Sequence, residues 1–186
     1  MLYCQIAEAS PVHFAADWFQ LRAKHLPARE LYARALAALA AAPHKKILIN
    51  SRLDVALAAG AHGLHLPAHS PAPSTFRPLT PPNFLIGVSC HTLDELRQAE
   101  AEGADYVFFS PIFEPFSKPG SHPGLGLAML RQACSAVSIP LFALGGISFE
   151  NAVDCAAAGA VGVAGISLFQ CSETSTPLPA SQWKLS

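Results

Sequence analysis

Eight short, largely apolar strand-like runs alternate with helix-patterned stretches along this chain, and that alternation limits its fold more than any other feature. The runs cover residues 2–7, 18–22, 46–50, 63–66, 84–89, 106–110, 141–144 and 162–166. Between them, Ala28, Leu31, Tyr32, Ala35 and Leu39 recur at helical spacing, as do Leu127, Leu130, Cys134 and Val137. Further helices are predicted over residues 53–59, 93–102 and 151–158. Gly60, Gly103, Pro140 and Gly159 end their helices just before the next strand. Strands separated by helical crossovers make a parallel sheet, and eight of them predict a (β/α)8 TIM barrel.

Such barrels run to about 250 residues, and this chain has 186. The shortage falls in three places. Ten residues join the first two runs, six prolines crowd residues 67–82, and the tail after Gln170 has no helical periodicity. Barrel helices one, four and eight are therefore expected to be absent or reduced. An open doubly wound sheet is the alternative that strand count alone leaves open. No internal repeat or linker divides the chain, so residues 1–186 read as one domain.

With 51% hydrophobic and 13% charged residues, the chain can bury a core and is not disordered. Twelve Lys and Arg against 13 Asp and Glu argue against a nucleic-acid surface or a polybasic membrane contact. The longest largely apolar run, residues 156–169, is 14 long with three glycines, short of the ~20 residues that span a bilayer. The start, Met1-Leu2-Tyr3-Cys4-Gln5, lacks a secretory pattern, and five scattered cysteines without a C-x-x-C suit a reducing compartment. The expectation is a cytoplasmic protein whose partner is a small molecule, with a homo-oligomer left open.

In a barrel the loops at the C-terminal strand ends build the site. The seventh strand runs into Gly145-Gly146-Ile147-Ser148 and the eighth ends in Gly165-Ile166-Ser167. Paired small-residue turns at these two strands favour phosphate binding by Gly145, Gly146, Ile166 and Ser167. Strand two ends in Gln20-Leu21-Arg22-Ala23-Lys24, where alternation places Gln20, Arg22 and Lys24 on one side, suited to an anion. The long Pro- and Gly-rich connection after strand six carries Lys118, which could cover a phosphate. His62, His65 and His69 have metal-like spacing, but His62 and His65 differ by three along a strand and face opposite sides, so no metal site is expected. His91 reads as a cap or core contact, Cys90 as a small buried hydrophobe, and Asp54 and Asp105 as structural.

The stretches Gln20-Leu21-Arg22-Ala23-Lys24, Leu48-Ile49-Asn50, Gly87-Val88-Ser89-Cys90-His91-Thr92, Gly103-Ala104-Asp105-Tyr106-Val107 and Gly145-Gly146-Ile147 together resemble thiamine phosphate synthase and its relative TenI. The resemblance implies a barrel, thiamine-pathway ligands and a thiazole phosphate held at Gly145, Gly146, Ile166 and Ser167. It also implies that Gln20, Arg22, Lys24 and Lys118 contact a pyrimidine diphosphate, with Asn50 and Ser89 as further substrate contacts. The synthase's two magnesium-binding aspartates fall at Ser51 and Ser70, and a hydroxyl replaces an anionic magnesium ligand poorly. The histidine used by TenI-type isomerases falls at Pro111, which cannot transfer a proton.

These departures favour a TenI-like protein that binds a thiazole phosphate and isomerises it without a cofactor. Two other readings remain open. One is a synthase that joins the pyrimidine diphosphate to the thiazole phosphate, with magnesium only in that case. The other is a non-catalytic module that binds a phosphorylated ligand. Isomerisation needs a group that moves a proton, and Glu114 and His122, on the connection after strand six, have suitable chemistry.

Overall fold

The computed structural model describes residues 1–9, 11–114 and 123–169. Eight strands occur in chain order: β1 (Leu2–Ala7), β2 (Trp18–Leu21), β3 (Lys46–Asn50), β4 (Gly63–Leu66), β5 (Leu85–Cys90), β6 (Tyr106–Phe109), β7 (Leu141–Leu144) and β8 (Gly162–Gly165). Each pairs in parallel with the next, and β8 pairs back onto β1 with Leu2 opposite Gly162 and Gln5 opposite Gly165. The sheet closes, which removes the open doubly wound alternative. The crossover helices are α1 (Ala28–Ala41), α2 (Leu53–Ala59), α3 (Pro73–Phe76), α4 (Leu93–Ala101), α5 (Gly126–Ala136) and α6 (Ala152–Ala157).

The shortened crossovers fall where they are expected. No helix joins β1 to β2. Instead Lys45 reaches across from the start of β3 and its ammonium donates to the carbonyls of His13, Phe14 and Ala16, backbone groups that a helix would have satisfied internally. After β4 the proline-rich stretch makes only the single turn α3 and a 3-10 turn over Arg77–Leu79. Proline suits the first turn of a helix, but further prolines remove the N–H donors a longer one needs. After β8 comes a 3-10 turn, Ser167–Phe169, and the tail beyond it lies outside the described residues.

Apolar side chains pack in three places. Outside the barrel, Leu31, Ala35 and Ala38 of α1 and Val55 and Ala56 of α2 cover Phe19, Ile47, Ile49 and Leu64 of β2 to β4. On the other side, Leu96, Leu130, Ala133 and Cys155 of α4 to α6 cover Val107, Phe109, Leu141 and Val163. Helix α4 is fixed at its start by a capping box in which Thr92 and Glu95 exchange hydrogen bonds. Inside the barrel, Cys4, Ile6, Leu48, Tyr106, Phe108, Phe142 and Ala164 form the third cluster, with Trp18 against it.

This inner cluster works by pairing large rings with missing side chains. Gly87 lies opposite Tyr106 in the β5–β6 register, and a Cβ there would sit 1.9 Å from Tyr106 Cζ. A Cβ on Gly162 would meet the Phe142 ring at 2.7 Å. Tyr106 also stands edge-on to Trp18, with ring centroids 5.1 Å apart. The rings thus seal the barrel floor, and the layer above them is left for polar groups. Gly87→Ala is expected to lower unfolding free energy by about 3 kcal/mol, the upper end for overpacking a core, as read by urea denaturation; wild-type stability would show that Tyr106 can move aside.

Candidate functional site

Above the aromatic layer, at the C-terminal ends of the strands, lies a cavity of about 360 Å³ to which every strand or strand end contributes. Ile6, Gln20, Arg22, Asn50 and His65 line one side, and Ser89, His91, Ser110, Leu144 and Ile166 the other. Strand parity explains the set. Gln20, Asn50, His65 and Ser89 occupy inward positions directly above the aromatic layer.

Gln20 is 1% exposed, and its Nε2 has no hydrogen-bond partner among the described residues. A buried amide donor left unmatched by the protein is poised for an acceptor from outside. Arg22 sits just past the end of β2, tied by its N–H to the carbonyl of Ala7 at 2.8 Å. Among the described residues no ion pair takes its guanidinium, which is thus available to a phosphate or carboxylate. The Asn50 amide donates to Ser51 Oγ at 2.7 Å. Ser51 has a φ of 64°, in the left-handed region where Asp and Asn are better tolerated than serine.

Two histidines reach this cavity although the sequence does not single them out as site residues. His65 is 2% exposed; its Nε2 lies 2.8 Å from Ser89 Oγ and its Nδ1 3.0 Å from Tyr106 Oη. Burial, helped by the nearby Arg22 charge, brings its pKa down to about 3, so the ring is neutral at ordinary pH. The register Asn50 opposite His65 gives it the same inward face as the asparagine, a signal that pairing reveals and periodicity alone does not. His91 precedes α4 and directs Nδ1 to the Ser110 carbonyl at 2.7 Å. A carbonyl only accepts, so Nδ1 carries the proton and Nε2 of the neutral ring is the basic atom.

The other predicted residues are placed less centrally. Lys24 is exposed beyond the end of β2, because the strand stops at Leu21 and the alternation that would carry it inward stops as well. Glu114 is exposed and does not line the cavity. Lys118 and His122 lie outside the described residues. Ile166 lines the cavity, whereas Ser167 is exposed.

Gly145 and Gly146 follow β7 with φ of 97° and 61°. A Cβ on Gly145 would meet Pro111 at 2.7 Å and one on Gly146 would meet the Glu114 carbonyl. The glycines therefore serve the docking of residues 111–114, whose Ile112 and Phe113 N–H groups donate to the carbonyls of Leu144 and Gly145. No backbone hydrogen bond among the described residues uses the N–H of Gly146, Ile166 or Ser167, which leaves amides at both turns for an anion.

The metal question turns on the donor set. Among the described residues no carboxylate lines the cavity, Ser51 Oγ is engaged by Asn50, and Ser70 lines an adjoining pocket between the β4–α3 loop and α4 that shares Pro67, Ala68 and Ser89 with the cavity. Among the described residues no group of three or more His, Cys, Asp or Glu could hold a metal ion. These residues do not fit a magnesium ion, which takes carboxylate oxygens. The described cysteines are not reactive thiols either: Cys4, Cys90 and Cys155 are buried, and burial pushes the Cys90 thiol up to about 12.

A closed parallel barrel with a buried amide donor, an unpaired guanidinium and glycine turns around one cavity is the architecture on which barrel enzymes place a small-molecule site. The family model described as thiamine monophosphate synthase matches residues 5–169. Thiamine-phosphate synthase from Methanoculleus marisnigri is 47% identical over 154 residues, covering 82% of this chain and 73% of the relative. That from Methanospirillum hungatei is 41% identical over 172 residues, covering 91% and 83%. The solved thiamine phosphate pyrophosphorylase from Pyrococcus furiosus superposes with a TM-score of 0.81 at 29% identity, covering 92% of this chain and 88% of the other. The chain belongs to the thiamine monophosphate synthase family, an enzyme family of thiamine biosynthesis. The relatives carry the synthase name, which favours that reading over the TenI-like one.

The burial of His65 has a consequence for stability. Its folded pKa of about 3 lies below the unfolded value near 6.5, so protons favour the unfolded chain below that value. Its contribution is fully present above pH 6.5 and is lost progressively as pH falls towards 3. Urea unfolding should show little change from this group above pH 6.5 and stability falling by about 1.4 kcal/mol per pH unit between about pH 6 and pH 4; a flat profile would mean that His65 titrates normally in the folded protein.

Proposed function

We propose that this protein joins a hydroxymethylpyrimidine diphosphate to a thiazole phosphate, and does so without a carboxylate-bound magnesium ion. The observation that carries this reading is the buried Gln20 amide, unpartnered at Nε2 beside the unpaired Arg22. An amide is suited to a heteroaromatic ring edge, and a guanidinium to the phosphate attached to it. The thiazole nitrogen supplies an electron pair to the pyrimidine's exocyclic carbon, the bond from that carbon to oxygen breaks, and diphosphate leaves with the electrons.

Each residue has a part in that step. Gln20 and Ser89 hold the pyrimidine, Arg22 takes charge on the departing diphosphate, and Asn50 orients the groups between them. The amides at Gly146, Ile166 and Ser167 hold the thiazole phosphate on the opposite rim. Lys24 supplies further positive charge beyond the end of β2, and Lys118 is assigned to the diphosphate on the resemblance alone. The names and identities of the relatives support the coupling reading. Isomerisation of a thiazole carboxylate phosphate keeps one supporting observation, His91, whose basic Nε2 belongs to a ring that lines the cavity. Glu114 is exposed and off the cavity, which makes it a weaker proton carrier than His91.

A product assay separates the readings. With both substrates, thiamine phosphate and diphosphate should form in equal amounts; isomerised thiazole alone would favour the TenI-like reading, and tight binding without turnover the binding module. Gln20→Ala should lower kcat/KM for the pyrimidine substrate by roughly 10- to 100-fold, the cost of one lost buried hydrogen bond. Chelation of divalent ions should leave binding of both substrates unchanged, because among the described residues the cavity offers no carboxylate to anchor a metal. A large loss of affinity on chelation would restore magnesium to the site.

A further inference from the structure

Behind the substrate contact at Ser89 stand two residues that touch no substrate, His65 and Tyr106. Ser89, on the cavity rim, is the last member of a buried chain of three side chains that runs down into the aromatic floor. Tyr106 Oη meets His65 Nδ1 at 3.0 Å, and His65 Nε2 meets Ser89 Oγ at 2.8 Å. Distances alone do not say which atom donates, because a neutral imidazole has one donor and one acceptor nitrogen. The surroundings do.

Tyr106 is fully buried among Trp18, Phe108 and Phe142, none of which offers an acceptor to its hydroxyl. Among the described residues, His65 is its one hydrogen-bond partner. If Nδ1 carried the imidazole proton, Tyr106 would accept and its own hydroxyl proton would be stranded in an apolar layer, a costly arrangement. If Tyr106 donates, Nδ1 accepts, Nε2 holds the proton, and every polar atom of the chain is satisfied as far as Ser89. Protonation of His65 at both nitrogens would strand the same tyrosyl proton, in keeping with its low basicity.

We infer that Tyr106 and His65 are positioning residues that set the polarity of Ser89: Tyr106 donates to His65, His65 donates to Ser89 Oγ, and the Ser89 hydroxyl proton is left to point into the cavity. With one of its two lone pairs taken by His65, Ser89 offers its O–H to the ligand and favours an acceptor atom there, a pyridine-type ring nitrogen or a phosphoryl oxygen. The device adds no charge beside Arg22 and holds one polarity across the pH range in which His65 stays neutral. Gly87 belongs to it as well, since only glycine lets the Tyr106 ring lie where its hydroxyl reaches His65. The identity of the ligand rests on the coupling reading; the direction of the chain does not.

The test therefore has an arm independent of activity. In the full-length, 15N-labelled protein at pH 7, two-bond proton–nitrogen correlations should place the His65 proton on Nε2 and leave Nδ1 unprotonated. A proton on Nδ1 overturns the inference whatever the enzyme does. In the kinetic arm, Tyr106→Phe and Ser89→Ala should each raise KM for the pyrimidine diphosphate about 10-fold with kcat within about two-fold, and the double variant should be no worse than either. Losses that multiply to about 100-fold would mean that Tyr106 acts on folding rather than through Ser89. If no coupling is found, dissociation constants for inorganic diphosphate and for the unphosphorylated pyrimidine alcohol replace KM. Loss of diphosphate affinity in Ser89→Ala identifies a phosphoryl oxygen as the acceptor, loss of alcohol affinity a ring nitrogen, and loss of neither overturns the inference. Should Tyr106→Phe fail to fold, the wild-type tautomer and the Ser89→Ala binding data decide.

Discussion

The packing of aromatic rings against glycines inside the barrel is the constraint from which the rest follows. Closing eight short strands into a ring leaves an interior that must be filled at crystal-like density. Here Trp18, Tyr106, Phe108 and Phe142 supply the volume, and Gly87 and Gly162 remove the side chains that would collide with them. Because the floor is so thoroughly filled, the inward positions one layer higher are free to be polar. Gln20, Asn50, His65 and Ser89 occupy them. Tyr106 belongs to both layers: its ring is core and its hydroxyl reaches the site.

The site that results is poor in negative charge. Among the described residues its lining holds one arginine, neutral amides, hydroxyls, two histidines and no carboxylate. Such a surface stabilises an anion by donors already in place, which cost no reorganisation when charge develops on a leaving group. The glycine turn after β7 combines two requirements, a close approach of residues 111–114 and open amides, so bulk at Gly146 would disturb both together.

Much of this was legible in the sequence. Strand positions agree to within a residue at each end, because largely apolar runs and their Gly or Pro stops mark them directly. The reduced crossovers after β1 and β4 were legible as missing length and excess proline; the tail after β8 lies outside the described residues. Gln20, Arg22, Asn50 and Ser89, which the sequence singles out, line one cavity. Lys24 was expected inward because alternation was carried past the point where β2 ends. Glu114 was expected near the ligand from its place in the chain, yet a strand-to-helix connection can aim a side chain either way, and this one is exposed. His65 and Tyr106 take no role from the sequence alone, since their partnership joins residues 41 apart and depends on Gly87, which lies between them in the sheet register, opposite His65 on one side and Tyr106 on the other. No local pattern carries that information.

The central claim is that the cavity above the aromatic floor, through Gln20 and Arg22, holds the pyrimidine diphosphate with no metal between. The most direct measurement follows the side-chain N–H signals of Gln20 and Arg22 by NMR while that substrate is titrated in the presence of a chelator. Both sets of signals should shift together and saturate with the dissociation constant found by calorimetry. Binding seen by calorimetry with neither side chain responding would place the ligand elsewhere and contradict the account.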